Sequence, residues 1–195
     1  MKIILLDKAA CGDDLSYDGL SEFGKVYDLG VVNSEKEMLE IASKAEFKDA
    51  EVLLCNKAPV TAEFLRRMPG LRYIGIFATG YNNVDMPEAR AKGVTVCNVP
   101  GYSTEAVVQM TFALILQIAS SVGRYNDDCE KGKWVGYPVF SMLTHEMEEL
   151  QGKTLGVFGY GSIGRRVAQV GEAFGMKIKV CTRTERPGCP YLYVT

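Results

Sequence analysis

Histidine and tryptophan are scarce in this 195-residue sequence, which holds one of each. The only histidine is His145, so any chemistry that needs an imidazole has one candidate. The six cysteines form no Cys-x-x-Cys pair, which argues against a zinc site or a thioredoxin-like motif, and no metal is expected. An excess of one charge is also lacking, because 22 Lys and Arg stand against 24 Asp and Glu, for a net charge of −2. Nucleic acid is therefore not an expected partner.

Hydrophobic runs of membrane-spanning length are absent as well. The longest apolar stretch, residues 106–122, is interrupted by Gln109, Thr111 and Gln117 and falls short of the ~20 residues a bilayer requires. The first apolar run, residues 3–6, is too short for a signal peptide. We expect no membrane association and a cytoplasmic location, where thiols stay reduced. Three cysteines end apolar runs and are expected to be buried free thiols: Cys55, Cys97 and Cys181.

Short apolar runs alternate with helical patterns through the first half of the chain. Strands are predicted at residues 3–6, 25–28, 51–55, 71–77 and 94–97. Helix-starting residues follow in three of the gaps, at Ser34, Thr61 and Asp85, and Ser34 with Glu37 forms a capping box. The remaining gap, residues 11–24, gives a weaker signal for a short helix. This alternation predicts a parallel sheet with helices on both faces.

The pattern changes at Pro100-Gly101, where a boundary separates a first domain, residues 1–99, from a second, residues 100–195. A long helix is predicted from Ser103 or Thr104 to Gly123. Its apolar residues cover nearly the whole circumference, which is typical of a helix buried between domains or subunits. Residues 125–149 are expected to be irregular.

A glycine motif follows the apolar strand at residues 155–158 and opens a helix at 162–174, which leads to a strand at 176–181. Its sequence is Gly159-Tyr160-Gly161-Ser162-Ile163-Gly164, the G-x-G-x-x-G fingerprint of dinucleotide sites. In that motif the first glycine allows a tight turn, the second lets the backbone approach a pyrophosphate, and the third permits close helix–strand packing. The alternative is a glycine-rich turn that serves packing alone.

The residue that reads the cofactor ribose is expected about 20 residues after the glycines. That segment, Cys181–Thr184, contains no carboxylate. Thr182 and Thr184 offer hydroxyls and Arg183 can pair with a 2′-phosphate, which favours NADP(H) over NAD(H). In the alternative, Arg183 is solvated and Glu185 bonds the ribose.

Three stretches in order carry a family resemblance: Ala78-Thr79-Gly80-Tyr81-Asn82-Asn83-Val84-Asp85, then Asn98-Val99-Pro100-Gly101-Tyr102-Ser103-Thr104-Glu105-Ala106, then Gly152-Lys153-Thr154-Leu155-Gly156 before the fingerprint. Over essentially its whole length the sequence resembles the D-isomer-specific 2-hydroxyacid dehydrogenases, closest to the glycerate dehydrogenase and hydroxypyruvate/glyoxylate reductase branch. The resemblance implies an α/β fold: a flavodoxin-like, doubly wound parallel domain, followed by the first part of a Rossmann dinucleotide-binding domain that is truncated at its C-terminus.

The resemblance also implies roles for individual residues. The loop Ala78-Thr79-Gly80 would bind the substrate carboxylate through backbone N–H groups, with Thr79 also touching the nicotinamide side of the cofactor. Lys57 would be a second substrate-contacting group, or alternatively a plain surface lysine. Ser162 and Ile163 would contact the pyrophosphate. The helix at 104–122 would line a homodimer interface.

The implied activity is hydride transfer between NAD(P)H and a small 2-oxo or 2-hydroxy acid, with hydroxypyruvate or glyoxylate as substrate. In the family an arginine holds the substrate carboxylate and a glutamate–histidine pair protonates the carbonyl oxygen. The resemblance places all three beyond Thr195, so no catalytic residue is expected in the 195 residues and the chain alone is expected to be inactive. His145 is expected to be structural or solvated, and the pairs Asp127-Asp128 and Glu148-Glu149 to be solvated.

The sequence is also compatible with other hypotheses about its function. The chain is alternatively a non-catalytic dinucleotide-binding or dimerisation module, a decayed inactive fragment, or part of a different dinucleotide enzyme. With an expected second sheet of only two strands, the 195 residues alone are predicted to fold poorly or to associate through apolar surface.

Overall fold

A computed structural model describes residues 1–184 and 187–193 of the chain. The residues form two compact units, Met1–Tyr102 and Ser103–Thr195, which we call the N-terminal unit and the C-terminal unit. The division falls three residues after the boundary that the sequence predicts at residue 99.

The N-terminal unit is built on one parallel sheet. Its strands are β1 Lys2–Leu5, β2 Lys25–Asp28, β3 Val52–Cys55, β4 Tyr73–Ile76 and β5 Thr95–Cys97. They lie in the order β2-β1-β3-β4-β5, and every neighbouring pair is parallel. This is the flavodoxin-like order of a doubly wound sheet, so the predicted fold of this half is confirmed.

The helices of the N-terminal unit begin where the capping residues predict. They are α1 Glu35–Ser43, α2 Ala62–Arg67 and α3 Met86–Ala91. The Ser34 side chain accepts from Glu37 N, and the Glu37 carboxylate accepts from Ser34 N, which completes the capping box. Between β1 and β2, where a short helix is predicted, the structure has two short 3₁₀ helices, Lys8–Cys11 and Asp18–Glu22.

Apolar side chains pack on both faces of this sheet because alternate strand residues point to opposite sides. Ile4 and Leu53 pack with the helices, while Ile3 and Leu54 pack toward Tyr17 on the other face. The twelve largest fully buried side chains that the structure describes all lie in the N-terminal unit. They are Phe47, Phe64, Ile4, Leu5, Leu6, Met38, Leu53, Leu65, Met68, Ile74, Ile76 and Val60. The main core of the chain is therefore in this unit.

The C-terminal unit has a smaller parallel sheet. Its elements are α4 Thr104–Ala119, α5 Val122–Glu130, β6 Thr154–Phe158, α6 Ser162–Ala173, β7 Lys177–Cys181 and β8 Leu192–Tyr193. The sheet order is β6-β7-β8, so it has three described strands rather than the expected two. Both pairs are parallel, as in the first half of a Rossmann domain. Val157 and Val180 are buried on one face, whereas Phe158 is 86% exposed.

The long helix differs from the prediction in two respects. It ends at Ala119, because Ser121 adopts a left-handed backbone with φ of 51°. A separate helix, α5, follows at 65° to α4 and extends to Glu130, into the segment predicted to be irregular. Within the unit only Val108 and Phe112 of α4 are buried, and Ile118 is 79% exposed. Within this unit, α4 is therefore buried along one side only, and the predicted burial between domains or subunits stays a prediction.

Over residues 1–184 and 187–193, no single helix has the length and hydropathy of a membrane span, and α4 and α5 satisfy both only as a bent pair. All six cysteines are free thiols. Cys55 is buried as predicted, but Cys97 is exposed and Cys181 half-buried, since Cys97 lies on β5 at the edge of its sheet.

Candidate functional site

The glycine motif forms the turn between β6 and α6. Gly159 has a φ of +93°, a left-handed backbone conformation that favours glycine, and its N–H donates to Cys181 O at 2.8 Å. A Cβ added to Gly164 would lie 2.1 Å from the carbonyl oxygen of Gly159. The first and third glycines are thus required by the turn itself, as the fingerprint predicts.

Gly161 has a different environment, because a Cβ added there would meet no atom within 4 Å. It caps α6, whose first turn contains no acidic residue. The first N–H groups of a helix have no partner within the helix, and the positive end of the helix dipole lies beside them. An open cleft of about 470 Å³ borders this turn. Its lining includes Gly159, Gly161, Ser162, Ile163, Gly164 and Phe158. These residues fit a dinucleotide pyrophosphate.

The second residue of the motif anchors the turn to the core. Tyr160 is 7% exposed and packs edge-to-face against Tyr191, with ring centroids 6.1 Å apart. Burial, with a smaller contribution from Cys189, raises the pKa of Tyr160 to about 12. The hydroxyl therefore stays neutral, and Tyr160 acts as a packing residue of the turn.

The ribose-reading segment follows β7, the strand beside β6. Phe158 and Cys181 are paired in register, so the fingerprint turn and the segment that starts at Thr182 leave the same edge of the sheet together. Arg183 and Thr184 are exposed and Thr182 is half-buried. Glu185, the alternative ribose partner, lies outside the described residues.

In the N-terminal unit the predicted substrate residues follow two neighbouring strands, β3 and β4. The side chain of Asn56 joins the two loops, since its Nδ2 donates to Phe77 O at 3.0 Å. Lys57 is exposed, and its ammonium makes no hydrogen bond or ion pair with any residue that the structure describes. A cleft of about 340 Å³ lies at this edge of the sheet, bordered by Asn56, Phe77 and Val99. The structure therefore brings Lys57 and the 78–80 loop to one sheet edge.

The loop Ala78-Thr79-Gly80 is fixed by the end of β5. The Thr79 hydroxyl donates to Val99 O at 3.2 Å, and Asn98 Nδ2 donates to Thr79 O at 2.7 Å. Thr79 and Gly80 are exposed, whereas Ala78 is buried. Because the hydroxyl and carbonyl of Thr79 already have partners, the groups that the loop leaves available to a ligand are its N–H groups.

Asp7, two residues after the end of β1, is a buried carboxylate at this sheet edge that the motifs did not reveal. It is 2% exposed, and its carboxylate accepts from the N–H groups of Val32, Asn56, Lys57 and Ala58 at 2.8–3.1 Å. Burial raises the pKa of the Asp7 carboxyl, but the four donors together outweigh burial and leave that pKa below its usual value. The available signal was a lone carboxylate at the end of a buried apolar strand.

His145 lies in a separate cluster of the C-terminal unit. Its Nε2 is 2.8 Å from Asp128 Oδ2, and Lys133 Nζ donates to Asp128 Oδ1 at 2.6 Å. Lys133, and then His145, hold the pKa of the Asp128 carboxyl below its ordinary value. Asp128 is 5% exposed, so the prediction of a solvated Asp128 is wrong, while His145 has the expected structural role. Over residues 1–184 and 187–193, no three His, Cys, Asp or Glu side chains cluster as metal ligands would.

Relatives with known structures share this fold. A Thermus thermophilus protein superposes with a TM-score of 0.78 at 29% identity, over 100% of this chain and 60% of that one. An NADPH-dependent glyoxylate/hydroxypyruvate reductase from Sinorhizobium meliloti, solved with citrate, has a TM-score of 0.78 at 26% identity, over 99% of this chain and 57% of that one.

Sequence relatives agree with the structural ones. Hydroxypyruvate reductase from Blautia hydrogenotrophica is 38% identical over 181 residues, which are 91% of this chain and 55% of the relative. The chain thus spans little more than half the length of the relatives it matches. The sequence profile described as D-isomer specific 2-hydroxyacid dehydrogenase, catalytic domain, matches residues 9–185. The chain belongs to the D-isomer-specific 2-hydroxyacid dehydrogenase family.

Proposed function

We propose that this chain supplies the substrate- and cofactor-binding groups of an oxidoreductase that transfers hydride between NAD(P)H and a small 2-oxo acid, with hydroxypyruvate or glyoxylate as the substrate. The observation that carries the proposal is the turn at 159–164, where two glycines are required by the backbone and Gly161 faces open space beside a helix N-terminus. The names of the Blautia and Sinorhizobium relatives support the choice of substrate.

The binding roles follow from the groups that each loop leaves available. N–H groups of Ser162 and Ile163 bind the pyrophosphate at the start of α6. Backbone N–H groups of Thr79 and Gly80 bind the substrate carboxylate, with Thr79 also contacting the nicotinamide, and the Lys57 ammonium adds a second charge-assisted contact. The reduced nicotinamide, when bound, supplies the hydride.

We propose NADP(H) as the preferred cofactor. Arg183 follows β7 where an NAD site usually carries a carboxylate, and it is exposed and so accessible to a 2′-phosphate. Thr182 and Thr184 add hydroxyl donors on either side. A Sinorhizobium relative with a TM-score of 0.75 and 26% identity has been solved with NADP and malonate, which is consistent with this choice.

Titration calorimetry of the 195-residue chain with NADPH and NADH tests the cofactor site. Gly161→Ala places a methyl group in the open space where the pyrophosphate would lie, and we expect an affinity loss of about tenfold or more for both cofactors. The matched control is Gly136→Ala, because an added Cβ at Gly136 also meets no atom within 4 Å. Equal binding by the two variants would contradict the proposed site.

Arg183→Gln tests the 2′-phosphate contact separately. A hydrogen bond to a charged group contributes about 1.5–3 kcal/mol, so we expect NADPH affinity to fall roughly 10- to 100-fold while NADH affinity changes little. A parallel loss for both cofactors would overturn the NADP(H) preference without affecting the pyrophosphate site.

We expect no turnover by the 195-residue chain alone, because the resemblance places the acid–base residues beyond Thr195. NADPH absorbance at 340 nm should then fall no faster with hydroxypyruvate or glyoxylate than in buffer. The second candidate is a non-catalytic binding module, supported by the engagement of the only histidine with Asp128. Finding the arginine, glutamate and histidine in downstream coding sequence would decide for the reductase.

We also propose that the full protein forms a homodimer through α4. Met110, Leu114 and Ile118 are 60%, 56% and 79% exposed, and their four-residue spacing places them on one helix face. Leu114→Lys combined with Ile118→Lys should shift the sedimentation coefficient to that of a monomer. Gln109→Lys, at an exposed polar position of the same helix, is the control and should leave the assembly unchanged.

A further inference from the structure

The crevice between β1 and β3 contains a pocket of N–H groups that is filled by the chain itself. Three successive donors, the N–H groups of Asn56, Lys57 and Ala58, converge on Asp7 Oδ2 at 3.0, 2.8 and 2.8 Å. The other carboxylate oxygen accepts from Val32 N at 3.1 Å. Successive backbone N–H groups aimed at one point make an anion-binding concavity.

The position of this pocket in the sheet is also informative. The connection from β1 leads to β2 on one side, while β3 lies on the other side of β1. This is the switch point of the sheet, and the crevice at the carboxyl ends of strands is where open α/β sheets bind ligands. In this chain the Asp7 carboxylate occupies that place.

The backbone conformation at Asp7 restricts which residue types can occupy this position. Its φ of 58° and ψ of 21° are left-handed, a conformation that few residues other than glycine tolerate and that aspartate adopts more readily than most. The Asp7 N–H donates to Gly30 O at 2.9 Å. Through its bonds to Gly30, Val32 and Asn56, Asp7 ties together the loops that follow β2 and β3.

The connection extends to the proposed carboxylate loop. The Asn56 N–H donates to the Asp7 carboxylate. The Asn56 side chain donates to the carbonyl oxygen of Phe77, the residue before Ala78. Lys57 is held by its backbone, so its exposed side chain projects from a turn whose position is set by the Asp7 carboxylate.

We propose that Asp7 is an internal anion that occupies the switch-point pocket, positions the Asn56–Ala58 turn that carries Lys57, and denies this pocket to external carboxylates. The carboxylate of a 2-oxo acid is thereby left to the Thr79–Gly80 loop. The roles of Lys57 and of the 79–80 loop rest on the proposed function, whereas the pocket itself does not.

Replacement of the carboxylate by a free anion tests the pocket. Asp7→Gly removes the side chain and relieves the left-handed backbone, and acetate matches the atoms removed. We expect saturating acetate to raise the thermal midpoint of Asp7→Gly by roughly 5 °C or more relative to chloride at equal ionic strength. Wild type should show no such saturable gain.

Asp85→Ala is the matched control, because the Asp85 carboxylate caps α3 by accepting from one N–H, that of Glu88. Acetate should not rescue it. If Asp7→Gly fails to fold in chloride, its refolding yields in acetate and in chloride are compared instead. A higher yield in acetate would support the proposal, and equal yields would contradict it. Equal effects of acetate on the thermal midpoints of Asp7→Gly, Asp85→Ala and wild type would overturn the proposal that Asp7 is an internal anion.

Amide chemical shifts during a glyoxylate titration test positioning and exclusion. In wild type we expect saturable shifts at Thr79 and Gly80 and none at Asn56, Lys57 and Ala58, while Asp7→Gly should show shifts at both places. Glyoxylate shifts at 56–58 in wild type would overturn exclusion. No shift at 79–80 in wild type would contradict the proposed function, and acetate rescue would still decide on the pocket.

The conservative variant separates positioning from folding. Asp7→Asn keeps one acceptor oxygen and tolerates the left-handed backbone, but it places an amide among N–H donors. We expect it to remain folded and to weaken glyoxylate binding at Thr79–Gly80 at least about threefold. Unchanged affinity in a folded Asp7→Asn would overturn the positioning role.

Discussion

The two parallel sheets of this chain differ in what covers them. The five-stranded sheet of the N-terminal unit has apolar clusters on both faces, and its helices bury Phe47, Phe64 and Met38 completely. The three-stranded sheet of the C-terminal unit buries Val157, Ile178 and Val180 on one face, while Phe158 on the other is exposed.

The difference shows how each unit holds its functional loops in place. In the N-terminal unit a dense core fixes the strand ends, and a buried carboxylate then fixes the loops. In the C-terminal unit the glycine turn at residues 159–164 depends on glycine backbone geometry and on a small cluster of apolar side chains between the sheet and α6. We therefore expect substitutions to act globally in the first unit and locally in the second.

The largest effect is expected from truncating the core of the N-terminal unit. Leu53→Ala, at a fully buried position of the inner strand β3, should lower the free energy of unfolding by about 2–5 kcal/mol. Leu155→Ala, at a half-buried position of β6, should cost less, about 1–2 kcal/mol, because fewer buried contacts are lost. Urea unfolding followed by far-UV circular dichroism measures both. Equal losses would remove the contrast between the units.

Substitution of a closely packed glycine should destabilise the C-terminal unit alone. Gly164→Ala puts a Cβ against the Gly159 carbonyl, and we expect a loss of about 1–3 kcal/mol or more that is confined to this unit. Trp134, the only tryptophan, lies in the C-terminal unit, so its fluorescence midpoint should fall in urea while the amide NMR signals of Leu53 and its neighbours in the first unit keep their midpoint. A shift of both signals together would show that the two units unfold as one.

Acid should weaken both units through one buried carboxylate in each. The pKa values of Asp7 and Asp128 lie below the ordinary 3.8 in the folded chain, so their stabilisation is present above about pH 4 and is lost as pH falls through the folded pKa. Asp7→Asn should flatten the acid dependence of the first unit, and Asp128→Asn that of the second. Thermal midpoints between pH 3 and 6 distinguish them, read by amide NMR signals of the first unit and by Trp134 fluorescence for the second. Asp28→Asn, at an exposed aspartate, is the control.

The smallest effect is expected from removing one helix cap. Ser34→Ala deletes the side-chain acceptor for Glu37 N and should cost about 1 kcal/mol in the first unit. The Trp134 signal of the second unit should be unaffected. Chemical denaturation with both probes checks this, and an unchanged midpoint in the first unit would mean that the capping box adds nothing measurable.

Local patterns were enough to predict much of the fold. The five strands of the first sheet, the caps at Ser34, Thr61 and Asp85, and the strand–glycine turn–helix unit each depend on neighbouring residues, and the structure has all of them. The break after Ala119 was missed because Ser121 is an ordinary residue in a left-handed conformation, which no local pattern announces.

The missed parts of the candidate site depend on contacts between distant residues. Asp7 meets its four donors 25–51 residues later in the chain, and Asp128 meets His145 17 residues later. Sequence spacing does not show which carboxylate will find such partners. The ribose-reading residue stays a prediction for a similar reason, since Arg183 is exposed and no partner among residues 1–184 and 187–193 fixes its guanidinium.

The pairing of β1 with β3 also has a consequence for biosynthesis. Strand β1, Lys2–Leu5, lies inside the sheet and pairs with Val52 and its neighbours, which are synthesised about 50 residues after it. At a synthesis rate of ~5–20 residues per second, the nascent strand waits roughly 2–10 s for this partner. During that interval Asp7 lacks three of its four donors. An early pause in translation would therefore prolong the time for which this apolar strand is exposed to chaperones and to other nascent chains.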